Sequence, residues 1–301
     1  MPLIPALSPL RGAREPASSP RPALRGEGGA RNAQGEGQVS LASLAVAVLL
    51  TPDPAAKAAA ARAMAVAWRE GRLPVGEARP PDRPARPARP ELRRPGDMPK
   101  RRATGSCENR IALLHALAHI ELNAIDLACD MLARFARASL PRGFCDDWVQ
   151  VAEEEAKHYG LLAGRLAALG AAYGDLPAHD GLWQAAEATA HDLLARLAVV
   201  PLVLEARGLD VTPRMIADLT RAGDGESAAA LTVIYEEEIG HVAAGRRWFL
   251  FECGRRALDP AAAWRELVRR HFRGVLKPPF NDAARIAAGL VPAEYAALAR
   301  A

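Results

Sequence analysis

The chain contains only two runs of three consecutive glutamates, and the same residues surround both. Glu153, Glu154 and Glu155 are followed after two residues by His158, and Glu236, Glu237 and Glu238 by His241. Each histidine precedes a Gly-Arg pair, Gly164-Arg165 and Gly245-Arg246. Upstream, Glu121 in ELNAIDL matches Glu205 in EARGLDV, each with a branched apolar residue at +4 and an aspartate at +5. The spacings agree: 121 to 155 is 34 residues, 205 to 238 is 33, and the two copies stand 83 to 84 residues apart. E-x-x-H alone arises about 0.5 times by chance in a chain of this composition. Two matched triads and two matched single glutamates together point to a duplicated helix pair.

Helical geometry sets where these groups point. At 100° per residue Glu121 shares a stripe with Leu114, Leu117, Ile125, Ala128 and Leu132. Glu155 and His158 share one with Val151 and Leu162, Glu238 and His241 with Leu231, Ile234 and Trp248, and Glu205 with Leu194, Ala198 and Leu202. Four carboxylates and two imidazoles therefore face a core, where unpaired carboxylates are costly and metal ions are the economical partner. One Glu from each of two helices plus Glu-x-x-His from each of two others is the ligand pattern of di-iron and di-manganese carboxylate bundles. The ligand set expected is Glu121, Glu155, His158, Glu205, Glu238 and His241, holding two Fe ions or a Mn/Fe pair, with Glu155 and Glu238 placed to bridge.

The rest of the chain reads as all-α, since Ala and Leu abound and no alternating β-branched run is present. Residues 1–39, rich in Pro, Gly and Arg, are expected to be a disordered tail. Residues 40–72 read as a helical hairpin whose second helix starts on Thr51 as N-cap with Pro52 at the first position. Residues 73–105 form a Pro/Arg-rich strap, 106–254 a four-helix bundle, and 255–301 a helical extension. The long helices are expected at 108–138, 146–169, 182–207 and 226–253, with a short one at 213–222 after a break over residues 208–213. Apolar runs such as residues 44–50 are too short for a membrane span. Cys107, Cys129, Cys145 and Cys253 form no C-x-x-C pair, which favours a reducing, cytoplasmic setting. Residues 1–110 carry 19 Lys and Arg against 10 acids, but the basic segment 83–102 lacks interleaved aromatics. It therefore reads as a solvated strap rather than an RNA-binding surface.

Residues 108–253 resemble the ferritin-like di-iron carboxylate superfamily. With LLHALAHIELNAIDLA, EEEAKHYG, EEEIGHV and KPPFNDAARIAAG, residues 41–301 are similar to an uncharacterised bacterial family of ferritin-like-domain proteins. The resemblance implies a ferritin-like four-helix bundle and a metal site, but no activity. A more distant similarity is to the di-iron tRNA hydroxylase, from which only the six metal positions carry over.

The leading functional expectation is an oxygen-activating oxidoreductase, a hydroxylase or oxidase acting on a small-molecule substrate with dioxygen. Its electrons would come from an external donor, because the chain has no Rossmann fingerprint and no four-cysteine module. The alternatives are a non-catalytic iron-handling protein and a tRNA-modifying hydroxylase. The sequence leaves the oligomeric state open. Asp126 and Asp210 are candidates to orient the ligand histidines; Glu153, Glu154, Glu236 and Glu237 read as solvated or as outer partners of the ligands. His115 and His119 form an i, i+4 pair that could bind metal but reads rather as core or as outer partners of the ligands; Tyr159, Tyr235 and the tryptophans read as packing, and Pro201 as a kink beside Glu205.

Overall fold

The computed structural model describes residues 39–94, 97 and 106–299. The expected disordered tail lies outside the described residues except for Val39, as do residues 95–96 and 98–105 of the strap. The described residues are all-α apart from one two-residue parallel pairing, so the expected class holds.

Helix α1 (Leu41–Leu49) is closed at its start by a reciprocal pair, Ser40 accepting from Ser43 N and Ser43 from Ser40 N. Helix α2 (Pro54–Arg69) begins later than the sequence suggests. Asp53, whose Oδ1 accepts from Ala56 N at 2.8 Å, is the N-cap and Pro54 holds the first position. Asp53-Pro54 is a stronger start than Thr51-Pro52, because the carboxylate reaches a free N–H at the positive end of the helix.

The strap then runs extended over these helices and is fastened to them. Pro74 O and Val75 O accept from Leu41 N and Ala42 N, Ala85 N donates to Leu49 O, and Trp183 Nε1 donates to Asp82 O. Two of its arginines are engaged as well: Arg83 pairs with Asp180 and Glu187, and Arg86 with Asp126. The strap ends in β1 (Leu92–Arg93), which pairs in parallel with β2 (Ala178–His179). The strap read from composition is thus docked as well as solvated over residues 73–93: Leu73, Pro84 and Pro90 are buried, and the rest stay exposed or half-exposed. Proline removes backbone donors but leaves every carbonyl free to accept, and charged neighbours take up the Arg83 and Arg86 guanidinium groups.

The long helices are α3 (Cys107–Phe135), α4 (Arg142–Ala168) and α8 (Gly225–Arg255). Helix α3 packs along α4, α4 against α8, and α1 and α2 cover α3 and α4. By length and composition α3 could cross a membrane, a property that short apolar runs do not reveal. Yet 78% of its most apolar window is buried inside the protein. It also carries Glu121, Asp126 and Asp130 at no more than 4% exposure, which marks it as a core helix.

The segment expected as one helix over 182–207 is different. It divides into α5 (Gly181–Ala188), α6 (Leu193–Val199) and a π-helical turn (Val200–Glu205) that runs directly into α7 (Ala206–Arg221). Asp192 starts α6 by accepting from Leu194 N. Pro201 lacks the N–H that the carbonyl four residues earlier would need, and the helix widens there rather than merely kinking. Conversely, Gly208 and Pro213, read as a break, sit inside α7.

Helix α7 survives because the C-terminal region supplies the missing donors. Leu209 O, deprived of its partner by Pro213, accepts from Asn281 Nδ2 at 3.1 Å; in α6, just ahead of the π-helical turn, Ala198 O accepts from Trp264 Nε1 at 2.9 Å. Trp264 lies on α9 (Pro260–His271), and Asn281 is the N-cap of α10 (Asp282–Ala287), ahead of α11 (Pro292–Ala299). One continuous apolar core runs from Leu41 and Trp68 through the long helices to Tyr295 and Leu298.

Candidate metal centre

Three long helices and the π-helical turn converge on one buried cluster. Helix α3 supplies Glu121, α4 Glu155 and His158, the turn Glu205, and α8 Glu238 and His241. Ligand atoms of Glu121, Glu155, His158 and Glu238 all lie within 4.8 Å of one another, so this buried group could hold a metal ion. His241 Nδ1 lies 3.0 Å from Glu155 Oε1 and 3.7 Å from Glu238 Oε2; His158 Nδ1 lies 3.3 Å from Glu155 Oε2 and 3.5 Å from Glu121 Oε2. Glu155 thus stands between the two imidazoles with one oxygen toward each. Glu205 completes the set as a close electrostatic neighbour of Glu238 and Glu155.

Both histidines are turned the same way. Nδ1 faces the centre, while Nε2 is bound to the middle glutamate of the opposite triad: His158 Nε2 to Glu237 at 2.8 Å and His241 Nε2 to Glu154 at 2.8 Å. This crosswise exchange fixes each ring and leaves Nδ1 available for a ligand. Sequence reasoning left Glu154 and Glu237 between solvent and an outer role. No spacing signal separates them from Glu153 and Glu236, which recur in both copies as well; only the contact across to the other helix does. Glu153 pairs at the surface with Arg69 instead.

Asp126 and Asp210 do not orient the histidines, correcting that expectation. Asp126 accepts from Lys57 and Arg86, and Asp210 is held by Arg285 Nε at 2.8 Å and Nη2 at 2.7 Å. A +5 offset carries them about 500° around the helix, some 140° from the ligand glutamates and onto a different neighbour. His115 accepts from Gly174 N, and His119 is bound to Tyr173 and the carbonyl of His179, so both tie down the loop after α4. Tyr159 packs edge-on against Tyr173, and Tyr235 accepts from Asn281.

The electrostatics show what the cluster lacks. Burial opposes ionisation of Glu155, but the two imidazoles outweigh it and hold this carboxyl below the usual carboxylate range. Burial and Glu155 push Glu121 well up, burial and Glu238 push Glu205 up to about 8, and burial and Glu155 raise Glu238. Burial opposes protonation of His158, yet its contacts with Glu121 and Glu155 raise it to about 11. Three of the four carboxyls are driven toward the neutral acid, the behaviour of a site short of positive charge. Glu121 Oε2, Glu155 Oε1, Glu205 Oε2, Glu238 Oε2 and His241 Nδ1 are buried and make no well-directed hydrogen bond, although Glu155 Oε1 and His241 Nδ1 lie 3.0 Å apart. Orphaned acceptors at this density are rare in a core. A mixed carboxylate and imidazole donor set with unspent lone pairs fits divalent transition-metal ions.

An apolar cavity of about 160 Å³ opens on the carboxylate side of the cluster. Glu121, Glu155, Glu205 and Glu238 reach it, but neither ligand-type histidine does. The π-helical turn lines it with Leu204 and Glu205 and packs tightly on α8: Gly245 lies so close to Pro201 that an added Cβ would stand 2.3 Å from the proline ring. A side chain at residue 245 would force the turn away from α8.

Comparison with known proteins agrees with the extent of this structure. Over 213 residues, 69% of this chain and 74% of its relative, the sequence is 42% identical to an uncharacterized protein of Haemophilus influenzae. No solved structure matches. A family model described as "Protein of unknown function (DUF455)" matches residues 50–296, from the α1–α2 connection to α11 and across the whole cluster, and the chain belongs to that family.

Proposed function

We propose that this protein is a ferritin-like dinuclear metal carboxylate oxidoreductase, and that its centre acts on dioxygen and an organic substrate. The observation that carries the proposal is the set of five buried ligand atoms, none in a well-directed hydrogen bond, that face one another from four segments of chain. Glu121, Glu155, His158, Glu205, Glu238 and His241 would hold two ions, iron or a manganese and iron pair. When bound, the ions supply the redox chemistry with dioxygen, with electrons from an external donor.

The chain's own residues do the rest. Glu155, with one oxygen toward each imidazole, is placed to bridge. Glu154 and Glu237 hold Nδ1 of each histidine toward the centre. The apolar walls of the cavity exclude water from the carboxylate side and offer an organic group a place to lie, which favours an oxidoreductase over a protein that only stores iron. Arg83 and Arg86, spent on Asp180, Glu187 and Asp126, are poor candidates for phosphate contacts, which counts against tRNA as the substrate.

Anaerobic loading with Fe(II) and elemental analysis should give about two ions per chain. Oxygen should then be consumed repeatedly in the presence of a reductant. Failure to retain metal would overturn the proposal, and accumulation of many ferric ions per chain would replace it with iron handling. Glu154→Ala or Glu237→Ala should weaken metal affinity about 10- to 100-fold, as loss of a histidine's outer partner does. Competition against a chelator measures this, and an unchanged affinity would show that the crosswise hydrogen bonds do not support the ligands.

A further inference from the structure

The inner cavity does not stand alone. Leu204 and Arg207 line both it and a second, outer pocket of about 270 Å³ between α7 and the segment after α9. The two spaces differ in chemistry. The inner one is walled by Leu117, Leu127, Met215 and Ile234 around the four carboxylates. The outer one carries three cations, Arg207, Lys277 and Arg285, against a single carboxylate, Asp210, which Arg285 holds at 2.7 Å and Arg207 Nη1 touches only at 3.4 Å. The Arg207 side chain is 42% exposed, and its Nη1 donates to the carbonyl of Lys277 at 2.7 Å. That bond sets the guanidinium on the wall between the two spaces and brings Lys277 to the same mouth.

Gly208, next to Arg207, gives a second and independent observation. It lies inside α7 and lines the inner cavity, and an added Cβ would meet nothing within 4 Å. Its φ is not among the positive values that call for glycine. A helix-interior glycine is less favourable than alanine, and no packing or backbone requirement in this structure calls for it. What glycine does here is keep the cavity open.

Building on the dinuclear reading above, we propose that the substrate is a small amphipathic carboxylic acid. Its apolar chain lies in the inner cavity beside the carboxylates, and its carboxylate is held at the mouth by Arg207 and Lys277. A cavity of about 150 Å³ accommodates a benzene-sized molecule, which sets the buried apolar part at about six carbons. The planar guanidinium fork suits a carboxylate.

The test is calorimetric titration of the full chain with straight-chain acids of four to ten carbons. The n-alcohols and n-alkyl phosphates of the same lengths are titrated alongside, and metal content is determined on the same sample. Hexanoate and octanoate should bind best, with the matching alcohols at least 10-fold weaker. Arg207→Gln should bring the acids down to the level of the alcohols. Gly208→Leu should abolish binding of the longer chains while raising the melting temperature, so loss of binding cannot be ascribed to loss of fold. Equal affinity for acids and alcohols, tighter binding of alkyl phosphates, or indifference to Gly208→Leu would each overturn the proposal. Binding is read without turnover, so a chain that holds its metals but not the acids refutes the substrate class alone. A chain that holds no metal refutes the reading on which the class rests.

Discussion

Replacing Glu155 with alanine should empty the metal centre, while the same change at Glu153, two residues away in the same triad, should leave it full. Glu155 is fully buried and is the one carboxylate with an oxygen toward each imidazole, at 3.3 Å from His158 Nδ1 and 3.0 Å from His241 Nδ1. Glu153 lies on the outer face, paired with an Arg69 side chain that is half exposed. Removing an outer partner of a ligand costs about 10- to 100-fold in affinity, so removing the proposed ligand itself should cost at least about 100-fold. Elemental analysis should then find metal near background in Glu155→Ala and near two ions per chain in Glu153→Ala. The surface pair is worth at most about 1 kcal/mol, so the control should keep its stability as well. Retention of two ions by Glu155→Ala would refute the ligand assignment. Loss from both variants would point to a fault in the fold rather than in the site.

The inward direction of these six residues was legible because two properties coincide in the sequence: helical spacing puts each on an apolar stripe, and a repeat presents them twice. Where only one property was available, the reading went astray. Glu154 and Glu237 lie off the apolar stripe, so periodicity places them at the surface; they act across to the other helix, and contact between helices leaves no spacing signal within either. Asp126 and Asp210 also occur in both copies, but their polar partners, Lys57, Arg86 and Arg285, come from segments outside the repeat. The break predicted at Gly208 and Pro213 failed for the same reason. Local propensity counts the lost donor, whereas Asn281, some 70 residues later, replaces it for Leu209 O. The motif NDAARIAAG, which no spacing rule explains, makes sense as the piece that supplies these donors. Asn281 satisfies α7, and Arg285, stacked on Phe280 and Tyr295, neutralises Asp210.

Asp126→Ala should be among the most destabilising single changes in the chain, and it should leave the metal site untouched. Asp126 is 0% exposed and accepts from Lys57 Nζ and Arg86 Nη1. Lys57, itself 1% exposed, also donates to Leu49 O at 3.4 Å and Ala85 O at 3.2 Å, so one ammonium joins α1, the strap and α3. Burial pushes Lys57 down and Asp126 up, each resisted by the opposite charge beside it. With the carboxylate gone, only two carbonyls offset the burial of the ammonium and no charge opposes it, and breaking such a pair costs about 3–5 kcal/mol. For a chain of this size that corresponds to a fall in melting temperature of roughly 10 °C. The double change Asp126→Leu with Lys57→Met should recover much of the loss, because an apolar pair of similar volume carries no desolvation penalty. Metal content measured below the lowered melting point should match the parent protein. If Asp126 instead held a ligand histidine, Asp126→Ala would lose metal before it lost structure, so the order in which the two are lost distinguishes a clamp for the strap from a support of the centre.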